Sequence, residues 1–162
     1  MKPIFFIILL VIVSIIGCNR SSNPVSQASS ESTTQQPDVT EAINYINTFF
    51  KMYKEDGTNK AIDYIFSSNA SLSNVNQLAN LKSKLDSTRQ QIGNFNRQEL
   101  ITQKNSSNSL VLFSYLVKHD KQPLRFTFIF YKPKNNWTLY KFKFDDETDT
   151  ELEESGKIYF IK

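Results

Sequence analysis

The spacing of apolar residues changes once along this chain, at Gly93, and that change restricts the fold class more than any other feature. Before it, Val39, Ala42, Ile43, Ile46, Phe49, Phe50 and Tyr53 recur at the intervals that line one face of a helix. Asp38 followed by Glu41 reads as a capping box at the start of that helix, and Gly57 as its end. A second, short helix carries Ala61, Ile62, Ile65 and Phe66 and stops at Ser67-Ser68-Asn69. A third begins near Ser73, places Val75, Leu78, Leu81 and Leu85 on a stripe, and ends near Gly93. Beyond Gly93 the period becomes two. Strands are expected over 95–103, 109–119, 124–131 and 137–144, with a turn at Asn105-Ser106-Ser107-Asn108 and hairpin loops at 120–123 and 132–136. Helices followed by an antiparallel meander predict an α+β domain, with three helices packed on one face of a curved sheet of about four strands.

Strict alternation assigns the sheet faces. Leu124, Phe126, Phe128 and Phe130 share one face, as do Tyr140, Phe142 and Phe144, and these are expected to meet the helices. The same rule sends Ile129, Tyr131, Trp137 and Leu139 to the opposite face, together with Arg125, Thr127, Lys141 and Lys143. Contiguous apolar surface of that size marks an interface or ligand surface, and Trp and Tyr are the residue types that dominate binding energy. The apolar segment Ile158-Tyr159-Phe160-Ile161 offers a competing cover for the same patch within one chain.

The first residues set the address. Lys2 is followed by Ile4 to Ile16, apolar throughout apart from Ser14. The run is short for a membrane span, which takes about 20 residues, and suits the hydrophobic region of a secretory signal. It ends in Ile15-Ile16-Gly17-Cys18, which resembles the lipobox of bacterial lipoprotein signal peptides. The resemblance implies that the Cys18 thiol takes a diacylglyceryl group and that a peptidase cuts before it. Cys18 then becomes a lipidated N-terminus, and its acyl chains anchor the protein to a membrane outside the cytoplasm. Asn19, where Asp would favour retention at an inner membrane, points to the outer membrane in envelopes that have one.

Residues 1–17 are therefore expected to be a signal peptide and 18–37 a lipidated tether. That tether is rich in Ser, Thr, Gln and Asn and has little to bury, so it reads as a flexible spacer. Its root-mean-square reach is about 20–25 Å. Residues 38–162 form the single domain. Aromatic residues make up 13% of the chain, so the domain can build a core without disulfides, and the single cysteine excludes an internal one. The net charge of +3 comes from scattered basic residues, which argues against a nucleic-acid partner.

A long helix, a short helix and a third helix precede a meander whose late strand reads Asn136-Trp137-Thr138-Leu139-Tyr140-Lys141-Phe142. This order of elements, with Ile92-Gly93-Asn94-Phe95 at the passage from helix to strand, resembles the nuclear transport factor 2-like (cystatin-like) superfamily over residues 38–145. The resemblance implies a cone with an inner cavity and pairing through the outer side of the sheet. That fold hosts isomerases, dehydratases and non-catalytic proteins, so it does not by itself give a function.

Few residues suggest chemistry. His119, the only histidine, sits beside Asp120. It is either a general base at the mouth of the cavity or an exposed strand-end residue beside a hairpin, and the second reading needs fewer partners. Asp63 and Tyr64 on the second helix are weaker candidates, Asp63 falling off the apolar stripe. The acidic stretch Asp145, Asp146, Glu147, Asp149, Glu151, Glu153 and Glu154 does not fit a calcium loop. Counted from Asp145, Thr150 stands where Gly is required and Gly156 where Glu is required. Neither a zinc spacing nor a phosphate loop nor a Ser/His/Asp set is present. No catalytic residue, cofactor or metal is assigned.

The reading that absorbs most of these features is a non-catalytic envelope lipoprotein, a binding or assembly module that presents a cavity or sheet face to a small ligand or protein partner. A homodimer or an envelope protein would be that partner, alongside the membrane itself through Cys18. The alternatives are an enzyme of the isomerase or dehydratase kind using the cone cavity, and a periplasmic inhibitor or immunity-type lipoprotein. Replacing the thiol tests the address: Cys18→Ser is expected to abolish fatty-acid labelling and leave the precursor uncut. A variant that still labels and runs at mature size refutes the lipobox assignment.

Overall fold

The computed structural model describes residues 36–72, 74–150 and 152–153. The expected signal peptide, Cys18, nearly all of the expected tether and the segment 157–162 lie outside the described residues. The order is α1 (Thr40–Glu55), α2 (Thr58–Ser67), a 3₁₀ turn (Ala70–Leu72), α3 (Val75–Ile92), β1 (Phe95–Ser107), β2 (Leu110–His119), β3 (Leu124–Tyr131) and β4 (Thr138–Asp145). The four strands form one antiparallel sheet in sequence order, so the class is α+β as the change of period implies. Among the described residues the three expected helices are joined by a short 3₁₀ turn, because the Ser67-Ser68-Asn69 break leads into it.

The apolar stripe of α1 makes the core. Ala42, Ile46, Phe49, Phe50 and Tyr53 are buried. Phe49 packs its ring against Phe128, Phe142 and Phe126 at centroid separations of 5.3, 5.6 and 6.1 Å. Phe50 meets Tyr115, Phe128, Phe126 and Phe95 at 5.2 to 6.1 Å. Such aromatic pairs add about 0.5–1.5 kcal/mol each to the area they bury. α2 contributes Ala61, Ile62 and Ile65 to the same core, whereas α3 buries only Leu85 and Ile92. α3 starts on Asn74, whose side chain accepts from the Gln77 amide at 3.2 Å.

The expected capping box does not form. The Asp38 carboxylate accepts from the Thr40 amide at 2.9 Å in a two-residue turn, and hydrogen bonds from the Thr40 side chain and then its amide draw the carboxyl below the usual range. Glu41 is diverted across the molecule, where it accepts from the Trp137 amide at 2.8 Å. The Trp137 indole donates to the Asp38 carbonyl at 2.8 Å. The entry to β4 is thereby tied to the start of α1.

Two departures from strict alternation reshape the sheet. β1 has 13 residues and β2 has 10, and the three extra residues are single-residue bulges at Asn96, Ile101 and Ser106. The first hairpin accordingly turns at Asn108-Ser109 rather than over 105–108. In β4 the pairing steps from Ile129↔Lys141 to Phe130↔Leu139, so Tyr140 is an extra residue. That bulge inverts the faces of the residues before it. Trp137 and Leu139, expected on the outer face, are 1% and 0% exposed in the core, while Tyr140, expected inside, is 58% exposed. Phe142 remains inside, and so do Leu124, Phe126, Phe128 and Phe130. The outer patch expected at Ile129, Tyr131, Trp137 and Leu139 is therefore reduced to half-buried Ile129 and exposed Tyr131.

The bulge makes opposite demands on neighbouring positions. Leu139→Asp is expected to unfold the domain by burying an unpaired charge, and Trp137→Ala to cost about 3–5 kcal/mol. Tyr140→Asp should stay within about 0.5 kcal/mol of the parent. Urea denaturation of the three variants checks the order, and a large loss at Tyr140 would put the faces back to strict alternation.

Candidate functional site

Alternation along β2 puts Val111, Phe113, Tyr115, Val117 and His119 on the inner face. His119 is thus 7% exposed, not an exposed strand-end residue. Its Nε2 lies 3.1 Å from the Tyr53 hydroxyl, one donating to the other according to the imidazole tautomer. The ring also packs edge-on to Tyr53 and Phe95, with centroids at 6.0 and 6.1 Å. Nδ1 makes no well-formed hydrogen bond. Arg89 of α3 closes the cluster. Its guanidinium lies 4.6 Å from the centre of the Tyr53 ring and donates to the Tyr53 carbonyl at 2.6 Å.

Burial dominates the titration of both groups. It raises the Tyr53 hydroxyl far above its ordinary value, against a smaller opposing pull from Arg89. It lowers His119, while the Val117 backbone opposes, Arg89 lowers it further and Asp120 raises it. Both partners are neutral near pH 7. The pair is hydrogen-bonded to itself, with the Phe95 ring packed against the imidazole.

Asp120, immediately after His119, has a structural task. Its Oδ2 accepts from the Asn94 amide at 2.8 Å and its Oδ1 from the Asn96 side chain at 3.3 Å, and these bonds lower its carboxyl. The Lys121 amide donates to the Ile92 carbonyl at 2.9 Å, and its ammonium to the Gln91 carbonyl at 2.7 Å. The β2–β3 hairpin thus caps the C-terminus of α3. Gly93 permits this approach: its φ is +94°, and a Cβ there would sit 2.7 Å from the Asp120 carboxylate.

An open groove of about 390 Å³ borders the cluster, lined by Arg97, Lys118, Lys121 and Leu116 among others. His119 touches it, but its ring points inward to Tyr53. The cations are engaged, Arg97 and Lys118 each 2.7 Å from Glu99 and Lys121 on the α3 carbonyl.

The remaining candidates are separate. Asp63 pairs with Lys82 and ties α2 to α3. Tyr64 is half-buried, with its ring 6.1 Å from that of Tyr45. Asp145 and Glu147 bind Arg125 at 2.8 and 3.3 Å. Among the described residues no group of His, Cys, Asp and Glu is arranged to hold a metal, and no helix is long and apolar enough to cross a membrane.

Among the described residues, the outer sheet face keeps an apolar island. Cross-strand register places Leu110 opposite Tyr131 and Leu112 opposite Ile129, and sets Lys104 and Lys141 on either side. Toward the far end, Ser114, Thr127 and Arg125 are buried on this face. Sequence reasoning missed the tyrosine partner of His119. The burial of His119 was signalled, since it has the same parity as Val117 and Tyr115, but nothing local singled out Tyr53 from the rest of the α1 stripe. It also missed Leu110 and Leu112 as companions of Ile129 and Tyr131. Comparison with protein-family models, curated proteins and solved structures finds no match.

The buried imidazole gives a pH dependence with a definite sign. The unfolded chain takes up a proton at His119 near pH 6.5, the folded chain only at lower pH. This contribution is therefore present in full above pH 6.5 and is lost as pH falls toward the folded value. Because the chain has one histidine and the shifted carboxylates titrate lower, Tm is expected to fall between pH 7 and 5, and His119→Gln to flatten that slope. An unchanged slope in the variant would place the proton uptake elsewhere.

Proposed function

We propose that this chain is a lipid-anchored, non-catalytic module of a bacterial cell envelope, whose nuclear transport factor 2-like domain binds a protein partner on its outer sheet face. The address rests on the apolar run ending at Gly17-Cys18, and on Asn19 for the outer membrane where one exists.

The observation that carries the non-catalytic reading is the filling of the inner sheet face. An enzyme of this fold would hold its substrate between helices and sheet. Here that space holds Phe49, Phe50, Phe126, Phe128 and Phe142, with ring centroids 5.1–6.1 Å apart. The titratable pair beside them, Tyr53 and His119, is spent on itself.

The binding reading rests on the island of Leu110, Leu112, Ile129 and Tyr131. Tyr131 is 44% exposed and the island is framed by Lys104 and Lys141, which suits an apolar segment with acidic flanks. A photo-crosslinking residue at position 131 or 112 of the membrane-anchored chain is expected to give one discrete adduct. Placed at Glu55, exposed on α1, it should give none. Ile129→Asp, introduced beside the label, should abolish the adduct with the thermal transition retained. Equal or absent labelling at positions 131, 112 and 55 refutes the surface.

A further inference from the structure

The fold sorts charge between its two ends. Between Leu100 and Phe144, a stretch that holds β2, β3 and nearly all of β4, Asp120 is the sole acidic residue against eight Lys and Arg. Asp120 stands at the end of the sheet where the β2–β3 hairpin meets the C-terminus of α3. Glu55 and Asp56 close α1 at that same end, since Tyr53 reaches His119. Asp145 lies there too, opposite Arg125, and Asp146 and Glu147 follow it.

The other end gathers the Asn108-Ser109 turn and the loop 132–136, joined by the Lys132 amide donating to the Ser109 carbonyl at 2.9 Å. Lys132 lies over the Trp137 ring, 5.6 Å from its centre, which steadies the loop. Lys134 of the loop and Lys104 and Lys141 of the adjoining strands are exposed. Among the described residues no ion pair engages these three. Asp38 and Glu41 also stand at this end, but each is held, by the Thr40 amide and the Trp137 amide.

This lysine end is also where the chain from Cys18 enters the domain. The Trp137 indole donates to the Asp38 carbonyl, so the entry lies beside the loop 132–136. From there α1 runs about 24 Å toward the acidic end. We propose that the loop 132–136, with exposed Lys134, Lys104 and Lys141, docks on the anionic phospholipid headgroups of the membrane that holds Cys18. The inference rests on the lipid-anchored reading above and adds an orientation to it. Each ammonium group brought against an anionic surface favours binding by about fivefold. The carboxylates at the far end are repelled by the same surface, so one orientation is selected. The strands then stand upright on the bilayer. The outer sheet face is turned sideways, and Leu110, Leu112 and Ile129 stay open to a partner in the same membrane.

Quenching by headgroup-labelled lipid tests this on the full lipidated chain. With Cys18 acylated, Asn135→Cys offers one thiol for a fluorophore at the lysine end, and Glu55→Cys one at the acidic end. Each labelled chain is placed in vesicles of phosphatidylcholine alone, or mixed equally with phosphatidylglycerol, with nitroxide-headgroup lipid in both. In the mixed vesicles position 135 is expected to be quenched at least about twice as strongly as position 55, and high salt should remove the excess. Lys134→Glu together with Lys141→Glu should also remove it, with the thermal transition retained. Equal quenching at 135 and 55 in mixed vesicles overturns the proposal. So does an excess that survives salt, or one no larger than in phosphatidylcholine alone. The mass of the chain separates this failure from that of the anchor. Acylated Cys18 without the excess overturns the docking alone, whereas unacylated Cys18 removes the anchored reading and the docking with it.

Discussion

The contact between Phe49 and the sheet is the constraint on which the other parts of this fold depend. One ring from α1 enters the angle between Phe126, Phe128 and Phe142, and thereby sets how far the helix layer stands from the strands. Phe50 and Tyr53, further along the same stripe, reach Tyr115, Phe95 and His119. Close-packed aromatic contacts of this kind leave no room for a ligand, and they tolerate little displacement before contact is lost.

The first two helices and the middle of the sheet were legible because their apolar residues follow one period without interruption, whereas on the expected α3 stripe Val75 is 79% exposed and only Leu85 is buried. β3 is the clearest case, with its expected bounds matching Leu124–Tyr131 and all four inner residues buried. β1 and β4 were less legible for one reason. A bulge adds a residue without changing composition, so alternation read outward from Phe142 gives the wrong parity for Leu139 and Trp137. Nothing local marks Tyr140 as the extra residue. The reversal becomes visible only when β4 is laid on β3, a non-local fact.

The same limit applies to the candidate site. Asp38 and Glu41 satisfy a capping pattern over four residues, yet Glu41 finds the Trp137 amide, far away in sequence, and the pattern yields to tertiary structure. His119 was separable from the surface by parity alone. Its partner was not, since any residue on the α1 stripe could have reached it. Gly93 stands out in the sequence at the passage from helix to strand, but the reason for it, the Asp120 carboxylate against the backbone, belongs to the fold rather than to the segment.

β1 slips out of step with its partner at Asn96, Ile101 and Ser106, once every five residues. A strand with that rhythm cannot serve as a straight template, because an incoming chain would lose register before it had gained more than a few bonds. For a chain held by lipid in the plane of a membrane, as proposed for this one, neighbouring copies meet far more often than in free solution, and the irregularity matters correspondingly more. The uneven border lets such domains crowd together without stitching into continuous sheets, and it confines association to surfaces other than that edge.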